Sequence, residues 1–219
     1  MDLLFLALAP VIVILVYIYV RDKYEKEPVG LLLKTLLAGA IITLPIIVVE
    51  ELLMTFYPLF TGYIQVAYRA FVVAAFTEEL FKFLVLYLLI RRSPYFNERF
   101  DGIVYAVFVS LGFAAVENIL YVSSGGASVG YSRSLTAVPA HALFGVVMGF
   151  YFGKSLFIAK TRYLVLALVM PIFFHGVYDF ILMSQNFLLL LLFIPFLIYL
   201  WINGFRKINY LSDKSIFKK

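Results

Sequence analysis

Leu3 to Val20 reads LLFLALAPVIVILVYIYV, and Arg21-Asp22-Lys23-Tyr24-Glu25-Lys26-Glu27-Pro28 follows at once. The apolar run carries no charge and, as a helix, rises about 27 Å, close to the ~30 Å hydrocarbon core of a bilayer. A sudden block of charges at its end marks where such a helix meets water. This pairing decides the fold class, because the rest of the chain repeats it.

Working outward, a second run extends from about Leu31 to Leu53, and Pro45 is expected to kink it. Phe56 to Gly62 forms a short connection with Pro58 and Gly62 as breakers. The third run, Ile64 to Ile90, is longer than a span needs and reads as tilted or as starting with an interfacial segment near residues 56–70. Arg91-Arg92-Ser93-Pro94 stops it. A fourth run covers Ile103 to Val122, and Ser123 to Ser134 reads as a Gly/Ser-rich loop. The fifth is Leu135 to Phe152 and the sixth Tyr163 to Met183; after the polar turn Ser184-Gln185-Asn186 comes the seventh, Phe187 to Phe205. Arg206, Lys207, Lys214, Lys218 and Lys219 form a basic tail. The expected architecture is an all-α polytopic membrane protein of about seven helices, in one domain over residues 1–219, with no internal repeat of the transporter kind.

Composition agrees. Of 219 residues, 64% are apolar and 14% charged, with a mean hydropathy of +1.00; soluble domains sit nearer one half and one quarter. Without cysteine there is no disulfide and no thiolate metal site. Asp2 precedes the first run, and neither a basic start nor a small-residue cleavage pattern accompanies it, so that run reads as a retained helix. The net charge of +5 lies in short clusters between apolar runs, which argues against nucleic acid as a partner. Arg21, Lys23, Lys26, Arg91, Arg92, Arg99, Lys154, Lys160, Arg162 and the tail fall on one side of a seven-span arrangement. Only Arg69 and Arg133 fall on the other. By the positive-inside rule the N-terminus is expected outside and the C-terminus in the cytoplasm.

Against this background, ionisable side chains within the spans stand out, since each costs at least ~2.5–3.5 kcal/mol at mid-bilayer. They are Glu78, Glu79 and Lys82 in the third run, Glu117 with Asn118 in the fourth, His141 in the fifth, and His175 with Asp179 in the sixth. Both histidines of the chain are among them. At ~1.5 Å per residue these groups share a layer from the midplane to the outer third, and Asp179 lies on the face of His175. Structural roles compete with functional ones. Lys82 can form a plain intrahelical ion pair, Glu117 an interhelical hydrogen bond, and Asp179 can merely orient His175. Asp101 reads as a helix N-cap, and Glu50 and Glu51 as solvated residues at the outer interface.

Adjacent carboxylates in a low-dielectric site do not both ionise easily, and one that keeps affinity for a proton can act as a general base. Imidazoles beside them can stabilise an oxyanion or bind a metal. Hydrolysis by activated water follows as the leading expectation. A proton-coupled transporter or channel using the same buried Glu/His relay is the alternative. No His-Glu-x-x-His and no Gly-x-Ser-x-Gly is present, which removes the usual zincin and serine-hydrolase arrangements.

Glu78-Glu79-Leu80-Phe81-Lys82 resembles the Glu-Glu-x-x-Lys motif of the PrsW family of membrane proteases. Phe100-Asp101-Gly102-Ile103-Val104-Tyr105 with Gly112-Phe113-Ala114-Ala115-Val116-Glu117-Asn118, then His141-Ala142-Leu143-Phe144-Gly145, then His175-Gly176-Val177-Tyr178-Asp179, are similar to its further blocks, in order. Tyr24-Glu25-Lys26-Glu27-Pro28 resembles its turn after the first helix. The family is distantly related to the type II CAAX prenyl proteases, which implies a CAAX-protease-like helical core. Carried over by position, the resemblance implies a site of Glu78, Glu79, Glu117, His141 and His175, supported by Lys82, Asn118 and Asp179. One of Glu78 and Glu79 would activate water, and His141 and His175 would hold the oxyanion or a metal. It leaves two readings of the cofactor. Either a divalent metal such as zinc sits on His141, His175, Glu79 and Glu117, or the same groups act on water alone. Lys82 departs from the CAAX enzymes, which carry an arginine one residue later. The resemblance also implies a single-span anti-sigma factor as substrate, cut on the extracytoplasmic side of a bacterial plasma membrane under envelope stress.

Overall fold

A computed structural model of the chain describes residues 3–158 and 160–218; Met1, Asp2, Ala159 and Lys219 lie outside the described residues, and with them the readings placed on Asp2 and Lys219. All regular secondary structure among the described residues is helical. The helices are α1 (Leu3–Arg21), α2 (Val29–Ile41), α3 (Thr43–Met54), α4 (Gly62–Ala67), α5 (Thr77–Ile90), α6 (Asp101–Leu135), α7 (Ala137–Phe157), α8 (Thr161–Met183), α9 (Phe187–Leu191) and α10 (Phe193–Ser212). A 3-10 turn, Tyr57–Leu59, precedes α4, and a π-helix, Tyr68–Phe76, joins α4 to α5. Five segments among the described residues are long and apolar enough to cross a bilayer: Leu3–Arg21, Val29–Leu59, Asp101–Phe157, Thr161–Met183 and Phe187–Ser212.

Prolines account for two of the breaks. Pro45 has no N–H for the carbonyl of Ile41, and α2 gives way to α3 there, at Ile42. Pro195 does the same for Leu191, where α9 ends and α10 begins. The third run is one continuous helical path through α4, the π-helix and α5, and the 3-10 turn Tyr57–Leu59 lies just ahead of it.

The largest correction concerns Ser123 to Ser134, which is helical and not a loop. The helix α6 is interrupted only at Gly126, whose φ of 72° is a left-handed conformation that costs glycine nothing. Beyond it the chain doubles back: Gly130 packs against Leu6 of α1 and Val122 of α6. A second correction concerns Asp101. It does not cap α6; its Oδ2 accepts from the backbone N–H of Asn97 and Glu98, at 2.9 and 2.7 Å, in the preceding connection.

The first half of α6 is buried on every side, from Asp101 to Ala114, as expected of a central helix. It packs on α7, α1 and α2. The crossing with α7 is close because Gly149 meets the backbone of α6: a Cβ there would lie 2.1 Å from the carbonyl oxygen of Gly102. With Gly145 and Gly153 it forms a small-residue stripe that lets the two backbones approach. Around this centre, α1, α2, α3 and α10 turn Leu33, Leu37, Leu44, Val48, Leu52 and Ile198, among others, outward. An apolar outer surface over polar interior groups is the arrangement that suits lipid as solvent.

At one end of the bundle the α1–α2 connection, the α5–α6 connection and the C-terminal end of α10 meet. Arg21 hydrogen-bonds Asn209, and Asn97 donates to Glu25. At the other end, α6 reverses at Gly126 and leads into α7.

Candidate functional site

Four helices bring the ionisable groups together. The π-helix runs directly into Thr77-Glu78-Glu79; its wider turn is an uncommon geometry that recurs at functional sites. From α5, the Lys82 ammonium donates to Glu78 Oε2 at 2.9 Å and to Glu79 Oε1 at 2.8 Å, and lies 3.3 Å from His141 Nδ1. Spacings of four and three residues put both carboxylates one helical turn from the lysine, on its own face. The ammonium also sits 4.1 Å from the centre of the Phe113 ring. The expected intrahelical pair therefore exists, but it is part of a larger cluster.

His175, from α8, lies between two acids. Its Nδ1 is 3.0 Å from Glu79 Oε1 and 4.0 Å from Glu78 Oε2, while its Nε2 is 3.4 Å from Asp179 Oδ2 one turn on. Phe144 stacks on the imidazole, with ring centres 4.9 Å apart and planes at 18°. His141, from the second turn of α7, meets a different acid: its Nε2 is 2.9 Å from Glu117 Oε2. The backbone carbonyl of His141 accepts from Ser110 Oγ at 2.7 Å, which fixes α7 to α6 at this level. The two imidazoles meet edge to face, 5.3 Å apart.

Every side chain expected at the site is thus gathered, yet they do not stand equally. Glu78, Glu117, His141, His175 and Asp179 line a cleft of about 470 Å³. Glu79 and Lys82 lie behind them, fully buried, and Oε2 of Glu79 has no hydrogen-bond partner there. Asn118 is a framework residue. Its amide donates to the Ala7 carbonyl of α1 at 2.8 Å and its oxygen accepts from Arg133 Nε at 2.8 Å.

Arg133 is the residue that sequence reasoning missed. Assigned to a loop, it instead holds Glu117 Oε2 at 2.6 Å and stacks over Tyr121. An unbroken helix would carry Arg133 about 22 Å past Asn118; only the reversal at Gly126 returns it. Its one sequence signal was being one of two basic residues on its side of the chain. Glu50, expected in solvent, lines the cleft together with Glu51 and Arg69.

Glu78, Glu79, His141 and His175 can each turn one ligand atom into a common space, all within 4.8 Å of one another; Glu117, expected among the ligands, is outside this group because Arg133 and His141 Nε2 hold its carboxylate, and Glu78 takes its place. Carboxylate oxygens with imidazole nitrogens form a donor set typical of catalytic zinc. The Lys82 ammonium shares these donors.

Residues 27–202 match the family model described as PrsW family intramembrane metalloprotease. The chain is 39% identical over 209 residues to "Protease PrsW" of Clostridioides difficile (strain 630), covering 92% of this chain and 87% of that protein. It is 38% identical over 204 residues to "Protease PrsW" of Bacillus subtilis (strain 168), 91% of each. With the protein of that name from Geobacillus kaustophilus (strain HTA426) the identity is 41% over 181 residues, 81% of this chain and 78% of the relative. No solved structure matches the chain.

Proposed function

The chain belongs to the PrsW family of intramembrane metalloproteases, and from that premise we propose that it cuts a single-span membrane protein with water activated at Glu78. The observation that carries this assignment is the division of the glutamate pair. Glu78 lines the cleft, where substrate and water arrive, while Glu79 is held behind it by Lys82 and His175. A base must reach the proton it takes, so Glu78 is the base and Glu79 the group that keeps Lys82 and His175 in place. His141 and His175 face the same space and stabilise the oxyanion that develops on the scissile carbonyl. Glu117, fixed by Arg133, orients His141 through Nε2.

The family's description implies a metal, and the donor set fits one: Glu79, His141 and His175, three of the four groups that share one space, would hold it and leave Glu78 to act on water. When bound there, a divalent ion such as zinc supplies Lewis-acid polarisation of the carbonyl or water. Glu117 supports that site through His141, as the outer partner of a ligating imidazole does.

The proposed topology has seven spans: α1, α2 with α3, α4 through α5, α6 as far as Gly126, α7, α8, and α9 with α10. Basic residues cluster at the Arg21 end of the bundle, which makes that end cytoplasmic and the N-terminus external. Glu117 lies about 24 Å along α6 from Asp101 at that end, so the site belongs to the extracytoplasmic half of the bilayer. A cut there suits the first cleavage of an anti-sigma factor in envelope stress.

The test is cleavage of a reconstituted single-span substrate by Glu78→Gln protein. Its rate is expected to fall by at least ~10²-fold with the melting temperature nearly unchanged, as loss of a general base does. Wild-type cleavage by that variant would overturn the assignment.

A further inference from the structure

A second cavity, of about 240 Å³, lies against α7 apart from the cleft. Ala137, Ala140, His141 and Phe144 turn one side of α7 to the cleft, while Pro139, Ala142 and Val146 turn another to this groove. Ile14, Tyr17 and Ile18 of α1 form one flank. Trp201, Phe205 and Ile208 of α10 form the other, and no lining side chain is charged. Both flanking helices belong to segments long and apolar enough to cross a bilayer. Tyr17 and Phe205 are exposed, so in a membrane the groove opens to hydrocarbon and not to water.

Width and charge together select an occupant. Tyr17 and Phe205 meet edge to face with ring centres 6.1 Å apart. That contact holds α1 and α10 too close for a third helix, ~10–12 Å across with its side chains, to lie between them. A single hydrocarbon chain is thin enough to lie beside the two rings over α7. At one end of the groove stands Arg21, three residues beyond Ile18 and four beyond Tyr17, on the same face of α1. Arg21 donates to the side-chain oxygen of Asn209, the residue after Ile208, and so joins α1 to α10 there. It makes no ion pair with a carboxylate among the described residues, and its Nε has no hydrogen-bond partner. A permanent cation without an anion, at the end of a membrane span, matches a phosphodiester. Basic side chains between helices at this depth recognise anionic headgroups.

We propose that the groove holds an acyl chain of an anionic phospholipid, with the lipid phosphate on Arg21. The chain packs on the back of α7, the helix that presents His141 to the cleft. The site is independent of the chemistry assigned to that cleft.

Trp201 is the one tryptophan of the sequence, and it lines the groove, which makes it a contact probe. Full-length protein is placed in phosphatidylcholine vesicles, and brominated phosphatidylglycerol or brominated phosphatidylcholine is added in parallel series. Bromine on an acyl chain quenches an indole that it touches. Quenching by the phosphatidylglycerol is expected to saturate at a several-fold lower mole fraction than quenching by the phosphatidylcholine. Arg21→Gln should bring the two series together with the melting temperature near wild type, and Arg21→Lys, which keeps the charge, should retain most of the difference. Equal quenching of the wild type by the two lipids would overturn the proposal, since it places Trp201 only in the general lipid shell. A preference that survives Arg21→Gln would do the same. So would relief of the quenching by a stoichiometric single-span peptide, which gives the groove to a helix.

Discussion

At the scale of single residues, Lys82 carries the heaviest electrostatic duty. One buried ammonium faces Glu78, Glu79 and His141, and replacing it with alanine leaves two carboxylates without their cation. Breaking a buried pair in this way costs ~3–5 kcal/mol, so Lys82→Ala is expected to lower the melting temperature markedly as well as abolish cleavage. Arg133 behaves differently because it touches the cluster only through Glu117. Arg133→Ala should reduce kcat by ~10–100-fold, the usual effect of losing an orienting partner, with KM little changed. Arg133→Lys should restore only part, since Arg133 uses two separate nitrogens, Nε to Asn118 and one terminal nitrogen to Glu117. Steady-state kinetics on the reconstituted substrate read both parameters.

At the scale of elements, the site depends on how closely the helices pass. Gly176 follows His175 and lies against Phe71 of the π-helix, where an added Cβ would come within 2.1 Å of the Phe71 ring. Gly176→Val should therefore push α8 away from the π-helix and separate His175 from Glu79. Cleavage is expected to fall more than stability, and Phe71→Ala in the same chain should recover part of it. Such non-additivity is the mark of two residues in contact, and the double-mutant cycle measures it. By contrast Gly149 meets backbone, which cannot rotate away. Gly149→Val should destabilise by about 1–3 kcal/mol or more, with lost folding yield as the readout.

For the whole molecule, buried carboxyls at the Arg21 end, Asp22 and Glu27 in the α1–α2 connection and Asp101 at the start of α6, set a pH dependence. Asp22 rises from 3.8 to about 6 and Glu27 from 4.5 to about 7, mainly through burial. A raised carboxyl favours the folded state in its protonated form. That contribution is full below about pH 4 and is lost as pH climbs through 6 to 7. The melting temperature should thus decline between pH 5 and pH 7.5, and Asp22→Asn with Glu27→Gln should flatten the decline. The cysteine-free sequence gives topology a clean test. Single cysteines placed at Lys23, Arg99 and Lys160 should react with a membrane-impermeant thiol reagent only from the cytoplasmic face, and those at Thr61 and Ser128 only from outside. The reverse pattern would invert the orientation and the side of cleavage.

What the sequence determined by itself rests on local quantities. Run length and charge blocks gave an all-helical membrane chain, because spanning a bilayer requires internally paired backbone. The fixed rise per residue gave Glu78, Glu117, His141 and His175 a common depth, so their meeting across four helices was legible beforehand. Tertiary structure alone decided the rest, for reasons of sequence distance. Gly126 read as one glycine in a Gly/Ser-rich loop, but its left-handed backbone turns helix back on helix and delivers Arg133 to Glu117. Which glutamate meets the cleft depends on the rotation of α5 against α8, and residue spacing does not contain that rotation. Asp22, Glu27 and Asp101 looked like loop and cap residues singly, and only the meeting of two distant connections made them a buried cluster. Depth follows from counting along a helix, whereas azimuth and long-range contact follow only from packing.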